Sequence, residues 1–234
     1  MQYAIITGGT QGLGKAITEK LLTEGFSVAI CARNRDELQE IEKNWQSQYP
    51  TQKVICYPAD MGAKEQVNAF ADVVLEKFPA IDLLVNNAGI FLPGSVGDAE
   101  DGNLESLMAI NLFSAYYMTR KVLPAMKKAG SGHIFNMCSV SSLKAYPNGA
   151  SYGISKYALN GFSENLRDEL KPFNIKVTAL FPGATDTRTW DGSGFEPTRM
   201  MQSADVASML WASYSLSALA DVESIVMRPI KGDL

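Results

Sequence analysis

Short apolar runs alternate along this chain with longer segments in which apolar residues recur at helical spacing. The runs are mostly uninterrupted by polar residues, which is typical of strands covered by helices on both faces. The predicted strands are Gln2–Thr7, Ser27–Ala32, Lys53–Tyr57, Asp82–Asn86, His133–Met137, Ile175–Phe181 and Ser224–Arg228.

The segments between these strands have a helical period. In the first, Leu13, Ile17 and Leu21 recur every four residues, and Gly25 follows as a stop signal. Regular alternation of strands and helices favours a parallel sheet with right-handed crossovers. We therefore expect one doubly wound α/β domain over residues 1–234. The other predicted helices run from about Arg35 to Gln46, Ala63 to Lys77, Asn103 to Lys128, Ser151 to Leu170 and Ala204 to Ser217.

Composition places few further limits on this interpretation. The chain has 234 residues, 46% apolar and 20% charged, as in ordinary globular proteins whose core needs no metal or disulfide. A net charge of −4 does not predict binding to nucleic acid or to an anionic membrane. No residues have metal-ligand spacing, so no metal site is expected.

The three cysteines and the N-terminus indicate a cytoplasmic protein. Cys31, Cys56 and Cys138 have no CxxC spacing, and the first two lie in apolar runs, as small buried hydrophobes do in a reducing compartment. No stretch approaches the roughly 20 apolar residues that span a bilayer. The first residues run directly into a glycine motif and are too short for a signal peptide.

A glycine-rich turn joins the first strand to the first helix. The sequence TGGTQGLG at residues 7–14 supplies glycines for a tight turn and for close approach of the backbone to a phosphate. The helix N-terminus would present unpaired N–H groups to a pyrophosphate. This position favours a dinucleotide site over a plain turn.

The end of the second strand indicates which dinucleotide binds. NAD sites usually place a carboxylate there to bind the ribose 2′-hydroxyl. Here Ala32 occupies that position and Arg33 follows it. A guanidinium can bind the 2′-phosphate of NADP with two hydrogen bonds. We therefore expect NADP(H) as the cofactor, although a solvated surface arginine is the alternative interpretation of Arg33.

Polar or glycine-rich residues also follow the third and fourth strands. Asp60 could accept a hydrogen bond from the adenine amino group, and NNAG at residues 86–89 would let the backbone pass close to the cofactor. Taken singly, each is ordinary turn chemistry. Together with the first two junctions they mark the edge at which open α/β sheets bind ligands.

A second set of residues has the chemistry of proton transfer. Tyr152 and Lys156 are four residues apart in a helical segment, and therefore lie on one face about one turn apart. A tyrosine hydroxyl alone is a poor acid at neutral pH, but a nearby ammonium stabilises its phenolate. Ser139, after the fifth strand, could hold a substrate oxygen across the pocket.

Taken together, the chain resembles the short-chain dehydrogenase/reductase family over essentially its whole length. The resemblance rests on TGGTQGLG, Asp60, NNAG, Asn111, Ser139, YGISK at residues 152–156, and Pro182-Gly183. It implies a Rossmann-type fold with helices on both faces of a seven-stranded parallel sheet of order 3-2-1-4-5-6-7. It also implies a homodimer or homotetramer formed through the long helix after the fourth strand and the Tyr152 helix.

The resemblance assigns roles to these residues. Tyr152 would donate the proton in carbonyl reduction, Lys156 would bind the nicotinamide ribose and stabilise the phenolate, and Ser139 would orient the substrate oxygen. Asn111 would disturb its helix so that its backbone carbonyl holds a water of the proton relay. The implied cofactor-binding residues are Gly8, Thr10, Gln11, Gly12, Leu13, Gly14, Arg33, Asp60, Met61, Asn87, Ala88, Gly89, Tyr152, Lys156, Pro182, Gly183, Thr185 and Thr187.

The loop Gly183–Pro197 would then be a substrate lid, although a plain surface loop has the same composition. The nearest members implied are sepiapterin-reductase-like and 3-oxoacyl-carrier-protein-reductase-like enzymes. The C-terminus lacks the Gly-x-x-x-x-x-Asp-Gly-Gly ending common in the latter and is similar to bacterial members of the former.

The expected activity is NADPH-dependent reduction of a small carbonyl compound, or the reverse. Its substrate could be a pteridine side-chain ketone, another small ketone or a 3-oxoacyl thioester. An NADPH-sensing protein without turnover is disfavoured by the intact set of Asn111, Ser139, Tyr152 and Lys156. A sugar-nucleotide epimerase would need a C-terminal substrate domain for which the chain has no room.

Overall fold

The structure, a computed structural model, describes residues 1–192 and 194–234. Within these residues all seven strands join one parallel sheet of order β3-β2-β1-β4-β5-β6-β7, which confirms the expected fold class and strand order. The strands are β1 (Gln2–Thr7), β2 (Phe26–Ala32), β3 (Val54–Pro58), β4 (Leu83–Asn86), β5 (Gly132–Met137), β6 (Ile175–Pro182) and β7 (Ser224–Met227).

The helices cover both faces of the sheet. They are α1 (Gly12–Thr23), α2 (Arg35–Gln48), α3 (Lys64–Lys77), α4 (Asn103–Met108), α5 (Ser114–Ala129), α6 (Ala150–Leu170) and α7 (Ser203–Tyr214). None of these helices combines the length and the apolarity needed to cross a bilayer.

Strand residues alternate between two apolar cores. Ile5 packs into the core formed with α3, α5 and α6. Its neighbour Ile6 packs into the core formed with α1, α2 and α7. Both are fully buried, because successive side chains of a strand point to opposite faces. This explains why the strands read as continuous apolar runs rather than as alternating patterns.

Two predicted helices differ from those observed. The helix predicted from Asn103 to Lys128 is interrupted by a π-helical segment, Ala109–Phe113, between α4 and α5. The helix predicted to end at Ser217 ends at Tyr214, where the Ser215 N–H caps it by donating to the carbonyl of Trp211. Lys176 on β6 donates to the carbonyl of Ser217, so this stretch belongs to the turn that leads into β7.

The strand order positions the site. β1 lies between β2 and β4. The chain builds the sheet outward from β1 through β2 to β3, and then crosses back to continue on the other side of β1 with β4. In parallel sheets such a switch point opens a crevice at the carboxyl ends of the strands. The loops after β1, β2, β4, β5 and β6 all emerge at this edge.

Candidate active site

A cavity of about 820 Å³ lies at the carboxyl edge of the sheet. Every residue predicted to bind the cofactor lines it, and so does Ser139. The catalytic candidate Asn111 is an exception, because its side chain is buried behind the cavity wall. Residues far apart in sequence are therefore brought into one continuous space.

The glycine turn after β1 has no room for larger side chains. A Cβ on Gly14 would lie 2.0 Å from the carbonyl oxygen of Gly8 and 2.5 Å from Nδ2 of Asn87. Gly8 also has a φ of 69°, which favours glycine. The N-cap residue of α1, Gln11, makes no side-chain capping bond. The first N–H groups of α1 therefore remain available to an anion in the cavity.

Thr7 fastens this turn to the loop after β4, a role that the sequence did not reveal. Its Oγ1 accepts hydrogen bonds from the N–H groups of Asn87 at 3.0 Å and Ala88 at 2.9 Å. In return, Nδ2 of Asn87 donates to the carbonyls of Thr7 and Gly8. These bonds align the NNAG segment with the glycine turn.

The rim near β2 and β3 carries Arg33 and Asp60. Arg33 is exposed and follows directly after β2. Asp60 accepts a hydrogen bond from the N–H of Gly62 at 2.8 Å, which orients its carboxylate. Cys31 and Met61 pack together nearby, with their sulfur atoms 3.3 Å apart. Burial raises the pKa of the Cys31 thiol to about 12, so this cysteine stays protonated.

Tyr152 and Lys156 lie one turn apart on α6, as predicted. Lys156 is 4% exposed, and its Nζ donates to the carbonyl of Met137 at 2.7 Å. The same Nζ lies 5.7 Å from the centre of the Tyr152 ring. The end of β5 thus holds the ammonium beside the phenol.

Ser139 follows β5 and caps a 3-10 turn, Val140–Ser142. Its Oγ accepts a hydrogen bond from the N–H of Ser141 at 3.1 Å. The hydroxyl hydrogen therefore remains free to donate to a group in the cavity. Hydrogen bonds between Ser139 and the turn that follows it fix the position of Ser139.

Asn111 lies in the π segment, so the predicted disturbance of its helix is present. Its side chain exchanges two hydrogen bonds with the main chain of Ile90 and donates to Oγ of Ser155 at 2.9 Å. Ser155 in turn donates to the carbonyl of Tyr152 at 2.7 Å. Asn111 thus ties the loop after β4 to the helix that carries Tyr152. Ser155 lies inside the YGISK motif, but its spacing alone gave no sign of this contact.

Aromatic side chains also line the cavity, and one of them contacts Tyr152. Phe91 packs edge-on against Tyr152, with ring centres 5.1 Å apart. Trp190 and Phe195, from the predicted lid, lie 5.9 Å apart in a perpendicular arrangement. Tyr146 contributes a further ring. No sequence motif distinguishes these four residues, because ordinary core packing uses the same residue types.

The segment predicted as a lid borders the cavity over part of its length. Its base is anchored by hydrogen bonds from Asp186 N to Met201 O and from Met201 N to Ala184 O. Thr187 lies against the glycine turn, since a Cβ on Gly12 would be 3.1 Å from its Cγ2. Ser193 lies outside the described residues, and closure of the segment as a lid stays a prediction.

His133 lies at the start of β5, away from this edge of the sheet. It is 2% exposed, and its Nε2 pairs with Oγ1 of Thr178 at 2.8 Å. Burial lowers its pKa to about 3. Its position and its bond to Thr178 make His133 part of the sheet's packing, away from Tyr152 and Lys156.

The model of the short chain dehydrogenase family matches residues 2–194. The chain belongs to the short-chain dehydrogenase family. A relative from Staphylococcus epidermidis, described as an uncharacterized oxidoreductase, is 29% identical over 229 residues, which cover 98% of this chain and 97% of that protein.

Two solved structures place this short-chain dehydrogenase among oxidoreductases. An alcohol dehydrogenase from the archaeon Thermococcus sibiricus, complexed with 5-hydroxy-NADP, superimposes with a TM-score of 0.91 at 25% identity, covering 98% of this chain and 97% of the other. A metagenomic short-chain oxidoreductase in complex with NADP has a TM-score of 0.83 at 28% identity, covering 97% and 96%.

Proposed function

We propose that this short-chain dehydrogenase uses NADP(H) to interconvert a small carbonyl compound and its alcohol, with Tyr152 as the proton donor in reduction. The observation that carries the proposal is the single cavity that joins the glycine turn to Ser139, Tyr152 and Lys156. That cavity has a nucleotide end and a proton-transfer end.

The residues at the nucleotide end fit a dinucleotide phosphate. A Cβ on Gly14 would clash with the carbonyl oxygen of Gly8, so glycine keeps this turn tight, and the uncapped start of α1 offers N–H groups to a pyrophosphate. Arg33 supplies a guanidinium where the 2′-phosphate of NADP would lie. The NADP-type ligands of the two solved structures support this choice. When bound, NADPH would supply the hydride that is added to the carbonyl carbon.

The residues at the other end of the cavity donate the proton and stabilise the charges that its transfer creates. Negative charge develops on the carbonyl oxygen during reduction, and the Tyr152 hydroxyl donates the proton that neutralises it. The Lys156 ammonium, buried and held by Met137, stabilises the phenolate that remains. Ser139 donates its free hydroxyl hydrogen to the same carbonyl oxygen and orients it. That the backbone carbonyl of Asn111 holds a water of the relay stays a prediction.

The aromatic lining favours a ketone with a flat or apolar substituent. Phe91, Tyr146, Trp190 and Phe195 offer ring faces and edges to such a group. A small aryl or alkyl ketone fits this chemistry. The pteridine side-chain ketone and the 3-oxoacyl thioester remain alternatives for the substrate.

The test is NADPH oxidation by the purified protein with a panel of diketones, aryl ketones, pteridines, acyl thioesters and keto sugars. We expect turnover with at least one class, and a loss of about 10²- to 10⁴-fold in Tyr152→Phe with NADPH binding retained. Lys156→Ala should lose both turnover and affinity for NADPH. NADPH binding without turnover of any class would instead favour a sensing protein. Near-native turnover by Tyr152→Phe would show that the proton comes from another group.

A further inference from the structure

The segment after β7 returns to the cavity and is held there by one carboxylate. Asp233 accepts a hydrogen bond from the hydroxyl of Tyr146. Nζ of Lys144 lies 3.0 Å from the same carboxylate oxygen, and Nε of Arg228 lies 3.1 Å from the other. Two cations and one phenol therefore meet at a single side chain that is only 18% exposed.

This cluster joins two segments that are distant in sequence. Lys144 and Tyr146 lie in the loop between Ser139 and Tyr152, whereas Arg228 and Asp233 lie beyond the last strand. Tyr146 and Asp233 both line the cavity. The loop that connects two catalytic candidates is thus fastened to the segment after β7.

The protonation states in the cluster favour a role in holding the two segments together rather than a role in catalysis. The hydrogen bond from Tyr146 is the main cause that lowers the pKa of Asp233, so the carboxylate stays ionised. Burial raises the pKa of Tyr146, so the phenol stays protonated and donates. Both oxygens of Asp233 already have cationic or hydroxyl partners within the chain. Asp233 is therefore engaged as an acceptor, and a substrate would have to displace one of these partners to bind it.

Three contacts share the Asp233 carboxylate, which is 18% exposed, whereas its partners Lys144 and Arg228 are 57% and 36% exposed. An exposed pair contributes little, because water and salt screen it. Here a hydrogen bond and two ion pairs share one acceptor group, and charge-assisted bonds are stronger than neutral ones. Removing the charge of Asp233 loosens all three contacts at once.

We propose that Asp233 is a positioning residue that determines which carbonyl substituents the cavity accepts, because it holds Tyr146 and the segment 228–234 as one wall of the substrate end. The proposal rests on the proposed function, which makes this end of the cavity the substrate end. A large substituent would contact this wall, whereas a small substrate would reach Tyr152 and Ser139 without touching it.

The first arm of the test measures whether Asp233 holds the segment. Amide hydrogen exchange of the peptide covering 228–234 is compared in the native protein, Asp233→Asn and Tyr146→Phe. We expect exchange at least about tenfold faster in Asp233→Asn, as for the loss of one charge-assisted hydrogen bond. Tyr146→Phe removes only the hydroxyl and should give a smaller increase. Asp168→Asn, which removes an exposed pair with Lys171, is the matched control and should change nothing.

The second arm measures size selection without turnover. Dissociation constants of 2,3-butanedione and 1-phenyl-1,2-propanedione are measured by calorimetry on the NADP⁺-loaded protein, which cannot reduce them. In Asp233→Asn, the phenyl compound should bind about tenfold more weakly, because part of the apolar contact between its ring and the wall is lost. The constant for butanedione should stay within about twofold, because it makes no contact with the wall.

Either of two results overturns the proposal: unchanged exchange of 228–234 in both variants, or an equal change in affinity for the two diketones. Failure of the native protein to bind the phenyl compound also overturns it. Each of these results is distinct from failure of the proposed function, which would appear as absent NADPH oxidation by the native protein across the whole panel.

Discussion

Arg33 follows β2 at the rim of the cavity, and Ala32 stands where a carboxylate would bind a ribose hydroxyl. Both positions could be recognised in the sequence, because the end of a strand before a helix is a local feature. Arg33 is exposed, and Asn34 beside it caps α2 by accepting from the N–H groups of Asp36 and Glu37. The cap fixes the backbone at the residue after Arg33.

We expect Arg33→Ala to weaken NADPH binding by about ten- to a hundredfold, since a charge-assisted contact to phosphate is lost. The NADH constant should not change, because NADH carries no 2′-phosphate. Arg35→Ala is the matched control: Arg35 begins α2 two residues away and does not line the cavity. Fluorescence titration gives the NADPH and NADH constants of the native protein and of both variants. An unchanged NADPH constant in Arg33→Ala would place the phosphate contact elsewhere.

At the scale of elements, the site depends on junctions between strands and helices. The glycine turn, the NNAG loop and the π segment each place backbone groups at one edge of the sheet. The turn and the loop are bonded to each other through Thr7 and Asn87. A change in one junction should therefore disturb the other.

Gly14→Ala tests this dependence. Its Cβ would lie 2.0 Å from the Gly8 carbonyl oxygen, so the turn must shift. We expect a loss of about 1–3 kcal/mol in the free energy of unfolding and loss of detectable NADPH binding. Gly161→Ala in α6 is the matched control, because a Cβ there meets nothing within 4 Å.

The control should instead stabilise the protein by about 0.5–1 kcal/mol, since alanine favours a helix interior more than glycine does. Urea denaturation and fluorescence titration provide the two measurements. Native-like affinity in Gly14→Ala would show that the turn tolerates a side chain and that close approach is not required.

At the scale of the whole molecule, the pH dependence of folding involves His133. Burial lowers its folded pKa to about 3, from the usual histidine pKa of about 6.5. Between these two values the unfolded chain binds a proton that the folded chain does not. Stability is therefore lost as pH falls from 6.5 to 3, by up to about 1.4 kcal/mol per pH unit.

His133→Gln should remove this contribution while keeping a donor for Thr178. The free energy of unfolding, measured by urea denaturation at pH 7, 5.5 and 4, should fall less steeply in the variant than in the native protein. Carboxyl groups titrate in both proteins and cancel in the difference. Parallel pH profiles would contradict the lowered pKa.

Assembly belongs to the same scale. Phe113, Tyr116, Ile154 and Tyr157 are between 40% and 48% exposed, and they lie on the π segment, α5 and α6. Exposed apolar side chains grouped on neighbouring helices are typical of a protein interface. They support the expectation of a homodimer or homotetramer through these helices.

We expect sedimentation of the native protein at micromolar concentration to show a dimer or tetramer. Tyr157→Glu should shift the population to smaller species, because it places a charge in the interface. Leu219→Glu, at a side chain 99% exposed in the loop before β7, should leave α-helical pairing intact. A native monomer would refute the expectation.

The local sequence was sufficient to predict the strands, most helix boundaries and the residues of the motifs. Each of these features rests on short-range physics. Continuous apolar runs reflect strands buried on both faces, and the glycines reflect backbone turns and close approach. Tyr152 and Lys156 could be paired because one helical turn separates them.

Contacts between groups that lie far apart in the sequence could be seen only in the folded chain. The bond between Asn111 and Ser155 spans 44 positions, and that between Tyr146 and Asp233 spans 87. No periodicity records such pairs, because they arise from the order of strands in the sheet and from the return of the chain after β7. Local sequence patterns were therefore sufficient to predict the fold class and the chemistry of the motifs. The cavity walls that contain Phe91, Trp190 and the Asp233 cluster depended on packing between elements that are distant in the sequence.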